Sequence, residues 1–133
     1  MRPRRSKPKP LRVLIADDHR LFAEALEAIL AADDRIEVVG QAGDGAQAVE
    51  LARKLGPDIV LMDVSMPVLD GFEATREIRA ESEGTRVLML TGSNSRADVD
   101  RSRKAGASGY VTKDRIASEL VAAIVDVTRG KLP

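Results

Sequence analysis

The chain contains no cysteine and no tryptophan, and its only aromatic residues are Phe22, Phe72 and Tyr110 in 133 positions. Without cysteine there is no disulfide framework and no thiolate metal site, a composition that fits a reducing compartment. No apolar run approaches the ~20 residues of a membrane-spanning helix. Net charge is also missing, but zero is the sum of two unequal parts. Residues 1–12 carry Arg2, Arg4, Arg5, Lys7, Lys9 and Arg12 with no acid, which leaves residues 13–133 with 15 basic against 21 acidic residues, a net of −6. An acidic body is a poor surface for gripping nucleic acid.

Residues 1–10 hold five basic residues and three prolines, and no apolar side chain beyond Met1. Such a segment buries nothing, and it is expected to be a disordered, solvated tail. Arg4-Arg5 has no apolar stretch after it, so it is not an export signal. Residues 11–130 are expected to form one domain, a length sufficient for a sizeable core.

The stretch DIVLMDVSMPVLDG (58–71) organises that domain. Ile59, Val60, Leu61 and Met62 form an uninterrupted apolar run, which is how a strand buried on both faces reads. It ends on Asp63, and Pro67 forbids its continuation. Further strands are expected over Leu11–Ala16, Ile36–Ala42, Arg86–Thr91 and 108–112. Helices are expected over residues 19–32, with Phe22, Ala25, Leu26, Ile29 and Leu30 inward, and over 46–55, stopped by Gly56-Pro57. Three more follow: one from Asp70-Gly71 to before Gly84, a weak polar one over Arg96–Ala105, and one over 117–127 with Leu120, Val121, Ile124 and Val127 inward. Alternating strands and helices imply right-handed crossovers and a flavodoxin-like, doubly wound α/β fold, a five-stranded parallel sheet of order 2-1-3-4-5.

In that order the chemistry collects at one edge. The first strand ends in Asp17 and Asp18, the third in Asp63, the fourth in Thr91, the fifth in Lys113. Ligands bind outside the carboxyl ends of such strands. Two bare charges ~4 Å apart repel by about 4 kcal/mol at an effective dielectric near 20, so three carboxylates call for a cation. All-oxygen ligands with no histidine or cysteine nearby suit Mg²⁺. A carboxylate, a hard metal, a lysine and a hydroxyl describe a phosphoryl-transfer site with Asp63 as nucleophile.

Other motifs carry less. Gly43-Asp44-Gly45-Ala46-Gln47-Ala48 matches a dinucleotide fingerprint, but that motif belongs at the first strand–helix turn, and here that turn carries two aspartates that would repel a pyrophosphate. A flavin would want more rings to stack on. His19 opens a helix and is expected to pack or hydrogen-bond there rather than bind metal. Met62, Met66 and Met89 read as core or loop packing.

LIADDH, DIVLMDVSMPVLDG, VLMLTG and AGASGYVTKD together resemble the receiver domain of two-component response regulators. The resemblance runs from about residue 11 to 128 and is strongest to the subclass that carries a LuxR-type (NarL/FixJ-like) DNA-binding domain. It implies that Asp63 accepts a phosphoryl group from a sensor histidine kinase. It implies that Asp18 ligates Mg²⁺ directly, Asp17 through water, and Asp63 and the Ser65 backbone carbonyl as well. Lys113 would pair with a phosphoryl oxygen, and the amides of Val64 and Gly92 would face the phosphate. Thr91 would turn inward and Tyr110 change rotamer with it, altering the face of the fourth helix, fifth strand and fifth helix. The resemblance also implies that Ser65 and Ser93 stand where the lifetime of the phosphorylated state is tuned, two short hydroxyls giving a long-lived one; the alternative is that both are loop serines chosen for turn chemistry.

The resemblance further implies a cytoplasmic switch, not an enzyme acting on an outside substrate, able to homodimerise on phosphorylation and touching DNA only through an output domain beyond this chain. The rival is a degenerate receiver that binds partners without phosphorylation. Such proteins lack one of the acidic pair, the acceptor or the lysine, and all are present here. One departure concerns the residue after the lysine. Many receivers have proline; here it is Asp114, and a cis bond without proline costs ~3 kcal/mol.

Overall fold

The computed structural model describes residues 9–92 and 95–129. Five strands, β1 (Leu11–Ala16), β2 (Ile36–Ala42), β3 (Ile59–Asp63), β4 (Arg86–Thr91) and β5 (Gly109–Thr112), form one parallel sheet in the order β2-β1-β3-β4-β5. Five helices alternate with them: α1 (Arg20–Ala31), α2 (Gly45–Leu55), α3 (Gly71–Glu81), α4 (Arg96–Ala105) and α5 (Ile116–Thr128). A 3-10 turn over Lys113–Arg115, which the sequence reading did not foresee, joins β5 to α5.

The continuous apolar runs are explained by burial on both faces. Val13, Ile15, Ile59, Leu61, Leu88 and Leu90 pack with α1 and α5 in one layer. Their neighbours Leu14, Ala16, Val60, Met62, Val87 and Met89 pack with α2 and α3 in the other. Met62, Met66 and Met89 are all buried, as expected.

Local chemistry sets the helix ends. Asp44, Asp70 and Ser95 accept hydrogen bonds from the amides of Gln47, Glu73 and Asp98 at 2.7, 2.9 and 3.2 Å. Each satisfies an orphan N–H of a first turn. Gly56 (φ 54°) and Gly106 (φ 104°) close α2 and α4 in the left-handed region that glycine adopts most readily.

Two helix faces differ from expectation. On α1 the buried residues are Ala23, Leu26 and Leu30, while Ile29 is 38% exposed. Ala25, also expected inward, is exposed as well; which part of the apolar stripe meets the sheet is set by packing. On α5, Ile116 and Val125 join Leu120 and Ile124 in the core, with Val121 and Val127 only partly buried. The expected tail lies almost wholly outside the described residues, as does Ser93.

Among the described residues no helix is long and apolar enough to cross a membrane.

Candidate functional site

The carboxyl ends of β1, β3, β4 and β5 converge on one cleft. Asp17 leaves β1 with its amide bonded to the Ala42 carbonyl at 3.0 Å. That bond ties it to the end of β2, and its side chain is fully buried. Asp18, one residue on, keeps its side chain one-third exposed at the mouth. Asp63 is the last residue of β3 and is buried.

Lys113 reaches in from beyond β5. Its Nζ stands 3.4 Å from Asp63 Oδ1 and 3.6 Å from Asp17 Oδ2. Its other face meets the Phe22 ring, 4.6 Å from the centroid, within cation–π range. The ammonium is therefore held by two carboxylates and one ring.

Burial pushes the Asp63 carboxyl above the ordinary carboxylate range, and the Asp17 charge adds to that push. Lys113 and a backbone hydrogen bond from Ser65 oppose it. Asp17 Oδ2 is buried with no hydrogen bond at all. Its charged neighbour, the Lys113 ammonium at 3.6 Å, stands beyond hydrogen-bond reach, so the burial is costly and a further cation would relieve it. One ligand atom each from Asp17, Asp18, Asp63 and His19 falls within 4.8 Å of every other. The donors are mainly carboxylate oxygens, so the residues fit a hard divalent ion such as Mg²⁺.

The remaining sequence-derived residues divide between the cleft and its surroundings. Thr91 is buried at the end of β4, one position past the Asp63–Leu90 pairing. Gly92 follows it and is exposed. The Val64 amide, expected to face a phosphate, donates to the Leu90 carbonyl at 3.1 Å. Ser65 is exposed beside an open cleft that Asp18, Met66, Asp98 and Arg101 also line. Tyr110 is not in the cleft: it is 42% exposed and lines a groove of about 830 Å³ with Val99, Ser102, Arg103, Ala107 and Val127. No cis peptide bond occurs among the described residues, and Asp114 sits in the 3-10 turn.

Sequence reasoning missed four features here. Phe22 was read only as a core residue, although its ring faces Lys113. Arg101 of α4 stacks over Phe72 of α3 at 4.0 Å, a pairing with no local signal. Gly71 touches the acceptor strand, and only its position in an Asp-Gly helix start hinted at a special role. His19 Nδ1 lies 3.3 Å from Asp17 and 3.2 Å from Asp18; its place directly after the acidic pair was the available signal.

A doubly wound domain with acidic residues, a threonine and a lysine at the strand ends defines a class of signalling domain. Residues 13–125 match the response regulator receiver domain, and the chain belongs to that family. It is 40% identical over 120 residues to the transcriptional regulatory protein DegU of Brevibacillus brevis, covering 90% of this chain and 51% of DegU. It is 36% identical over 125 residues to a NarL transcriptional regulatory protein of Mycobacterium tuberculosis, covering 94% and 58%. Among solved structures, the NarL signal receiver domain from Mycobacterium tuberculosis superposes with a TM-score of 0.88 at 36% identity, covering 92% of this chain and 99% of that one. A LuxR-family two-component response regulator from Aurantimonas sp. gives 0.88 at 36%, covering 93% and 89%. The chain spans little more than half the length of the curated relatives it matches.

Proposed function

We propose that this receiver domain is a phosphoacceptor switch in which Asp63 takes a phosphoryl group from the phosphohistidine of a sensor kinase. One observation carries the reading: a buried aspartate at the switch point of the sheet faces a lysine at 3.4 Å that also stands 3.6 Å from a second buried carboxylate. In transfer, a carboxylate oxygen of Asp63 forms the new P–O bond as the P–N bond to the kinase histidine breaks. In the reverse sense of the switch, water attacks phosphorus and the Asp63 carboxylate leaves. The domain catalyses only these two steps on itself.

Asp17, Asp18, Asp63 and the Ser65 carbonyl would hold Mg²⁺, which supplies positive charge to the phosphoryl oxygens when bound. Lys113 stands ready to pair with a phosphoryl oxygen once it gives up Asp63 Oδ1. The Phe22 ring offers that ammonium no hydrogen-bond acceptor, so its N–H groups stay aimed at the cleft. Thr91 contributes its hydroxyl and Gly92 its amide. The Val64 amide would join them by releasing or sharing its bond to Leu90. The change then passes to α4, β5 and α5, where Tyr110 borders the groove.

The names of the relatives point to transcription as the output, through a DNA-binding domain outside this chain. A cytoplasmic location and dimerisation on phosphorylation belong to the same reading. The test is intact mass after incubation with a small acyl phosphate and Mg²⁺. A gain of one phosphoryl group, ~80 Da, is expected for a single activated carboxylate, and Asp63→Asn abolishes it. A variant that still gains the mass removes Asp63 from the role.

A further inference from the structure

Arg101 of α4 has no carboxylate to hold it. Among the described residues it makes no hydrogen bond and no ion pair, whereas Arg53, Arg76 and Arg115 elsewhere in the fold each meet a glutamate. Its guanidinium lies instead over the Phe72 ring, 4.0 Å from the centroid. An aromatic face accepts no fork of hydrogen bonds, so the N–H donors of the guanidinium stay open to a better acceptor. The contact is also one of few that tie α4 down, since that helix buries only Ser102 and Ala105.

The cleft that Arg101 overlooks leads to the acceptor. It holds about 590 Å³ and is lined also by Asp18, Ser65, Asp70, Phe72 and Asp98, and Arg101 is the one cation among its lining residues. A carboxylate oxygen of Asp18 lies within 4.8 Å of one of Asp63, and Ser65 is two residues beyond Asp63 in the chain. Asp63 itself is buried. A group added to its carboxylate therefore extends outward, to the mouth that Asp18 and Ser65 share with Arg101.

A phosphorylated side chain presents about two negative charges and three strong acceptor oxygens. The planar guanidinium fork matches these in shape as well as charge. A charge-assisted pair of this kind outweighs a ring contact at an exposed site. We infer that Arg101 is a phosphoryl-binding residue: it rests on Phe72 in the unphosphorylated domain and leaves that ring to pair with an oxygen of phospho-Asp63. This rests on Asp63 being the acceptor, as proposed above. Because Arg101 belongs to α4, the same movement frees α4 from α3 and draws it towards the cleft. The helix then receives the phosphoryl signal directly, along a route separate from Thr91.

The experiment titrates beryllofluoride, a phosphoryl mimic, at fixed Mg²⁺ into wild type, Arg101→Met and Arg101→Lys, followed by amide signals. Methionine can still pack on the Phe72 ring but carries no charge. Its beryllofluoride affinity should fall about tenfold, the lower end of what one hydrogen bond to a charged group contributes. Arg101→Lys keeps the charge without the fork and should fall less. A second measurement needs no variant. The Phe72 ring current displaces the Arg101 Hδ signals in the free wild-type domain, and that displacement should vanish on saturation. An unchanged affinity in Arg101→Met, or a displacement that persists at saturation, overturns the inference. A higher affinity in Arg101→Met also overturns it, because Arg101 would then only brace the unphosphorylated arrangement. If wild type takes beryllofluoride, and a phosphoryl group from a small donor, while the Arg101 results fail, only the arginine's role falls. If wild type takes neither, the reading of Asp63 as acceptor falls and the inference with it.

Discussion

Gly71 lies so close to Asp63 that a β-carbon on it would stand 2.2 Å from the Asp63 carbonyl oxygen. The first residue of α3 therefore abuts the backbone of the acceptor residue, and its amide also donates to the Val64 carbonyl at 2.9 Å. The obstructing atom is backbone, so it cannot swing aside. Gly71→Ala is expected to destabilise the domain by about 1–3 kcal/mol, as overpacking of a close contact does. The denaturant midpoint reads this, and phosphorylation by a small donor should slow because the Asp63 loop has moved. A midpoint equal to or above wild type would show that α3 gives way freely.

Metal affinity should depend on Asp18 more than on Asp17. The Asp18 side chain is one-third exposed at the cleft mouth, while Asp17 is buried with Oδ1 already accepting from the His19 amide. A carboxylate that meets the ion directly loses more on mutation than one acting through water. Calorimetric titration of Mg²⁺ against Asp17→Asn and Asp18→Asn checks the order. Equal losses, or a greater loss at Asp17, would reject it.

The coupling from Thr91 outward should be separable from phosphorylation itself. Helix α4 buries only Ser102 and Ala105, with Val99 half-buried, so few apolar contacts oppose its movement. Thr91→Ala is expected to leave the phosphoryl uptake of Asp63 largely intact. It should diminish the phosphorylation-dependent shifts in the amide signals of residues 96–110. Shifts of wild-type size in the variant would disconnect Thr91 from α4 and Tyr110.

Val68 holds φ at 70° and is 81% exposed. A β-branched residue is strained there, and the exposed methyls gain little packing in return. Val68→Asn should raise stability by about 1 kcal/mol, the scale of the left-handed penalty that asparagine partly escapes. Thermal unfolding tests it, and a lower midpoint for Asn would mean that the valine side chain is doing more than its exposure suggests.

Much of the domain was legible because its signals are local. The apolar runs ending at Ala16, Asp63 and Thr91 fall where the strands end. Asp44 and Asp70 cap the helices they introduce, and Gly56 and Gly106 close α2 and α4. Strand order followed from alternation and the handedness of crossovers, and it was enough to bring Asp17, Asp18, Asp63 and Lys113 to one edge. Those features depend on residue type at short spacing, which a single sequence carries in full.

What the tertiary structure alone decided are relationships across many residues of chain. That Asp17 is buried with one oxygen lacking a hydrogen bond while Asp18 reaches the surface depends on how β1 exits beside β2. That α1 exposes Ile29 and brings Phe22 to Lys113 depends on what that helix packs against. The stacking of Arg101 on Phe72 and the bond from Val64 to Leu90 join elements whose separation in sequence carries no periodic trace. Periodicity fixes which face of an element is apolar, but the rotation and depth at which that face meets its neighbours come from packing the whole sheet at once.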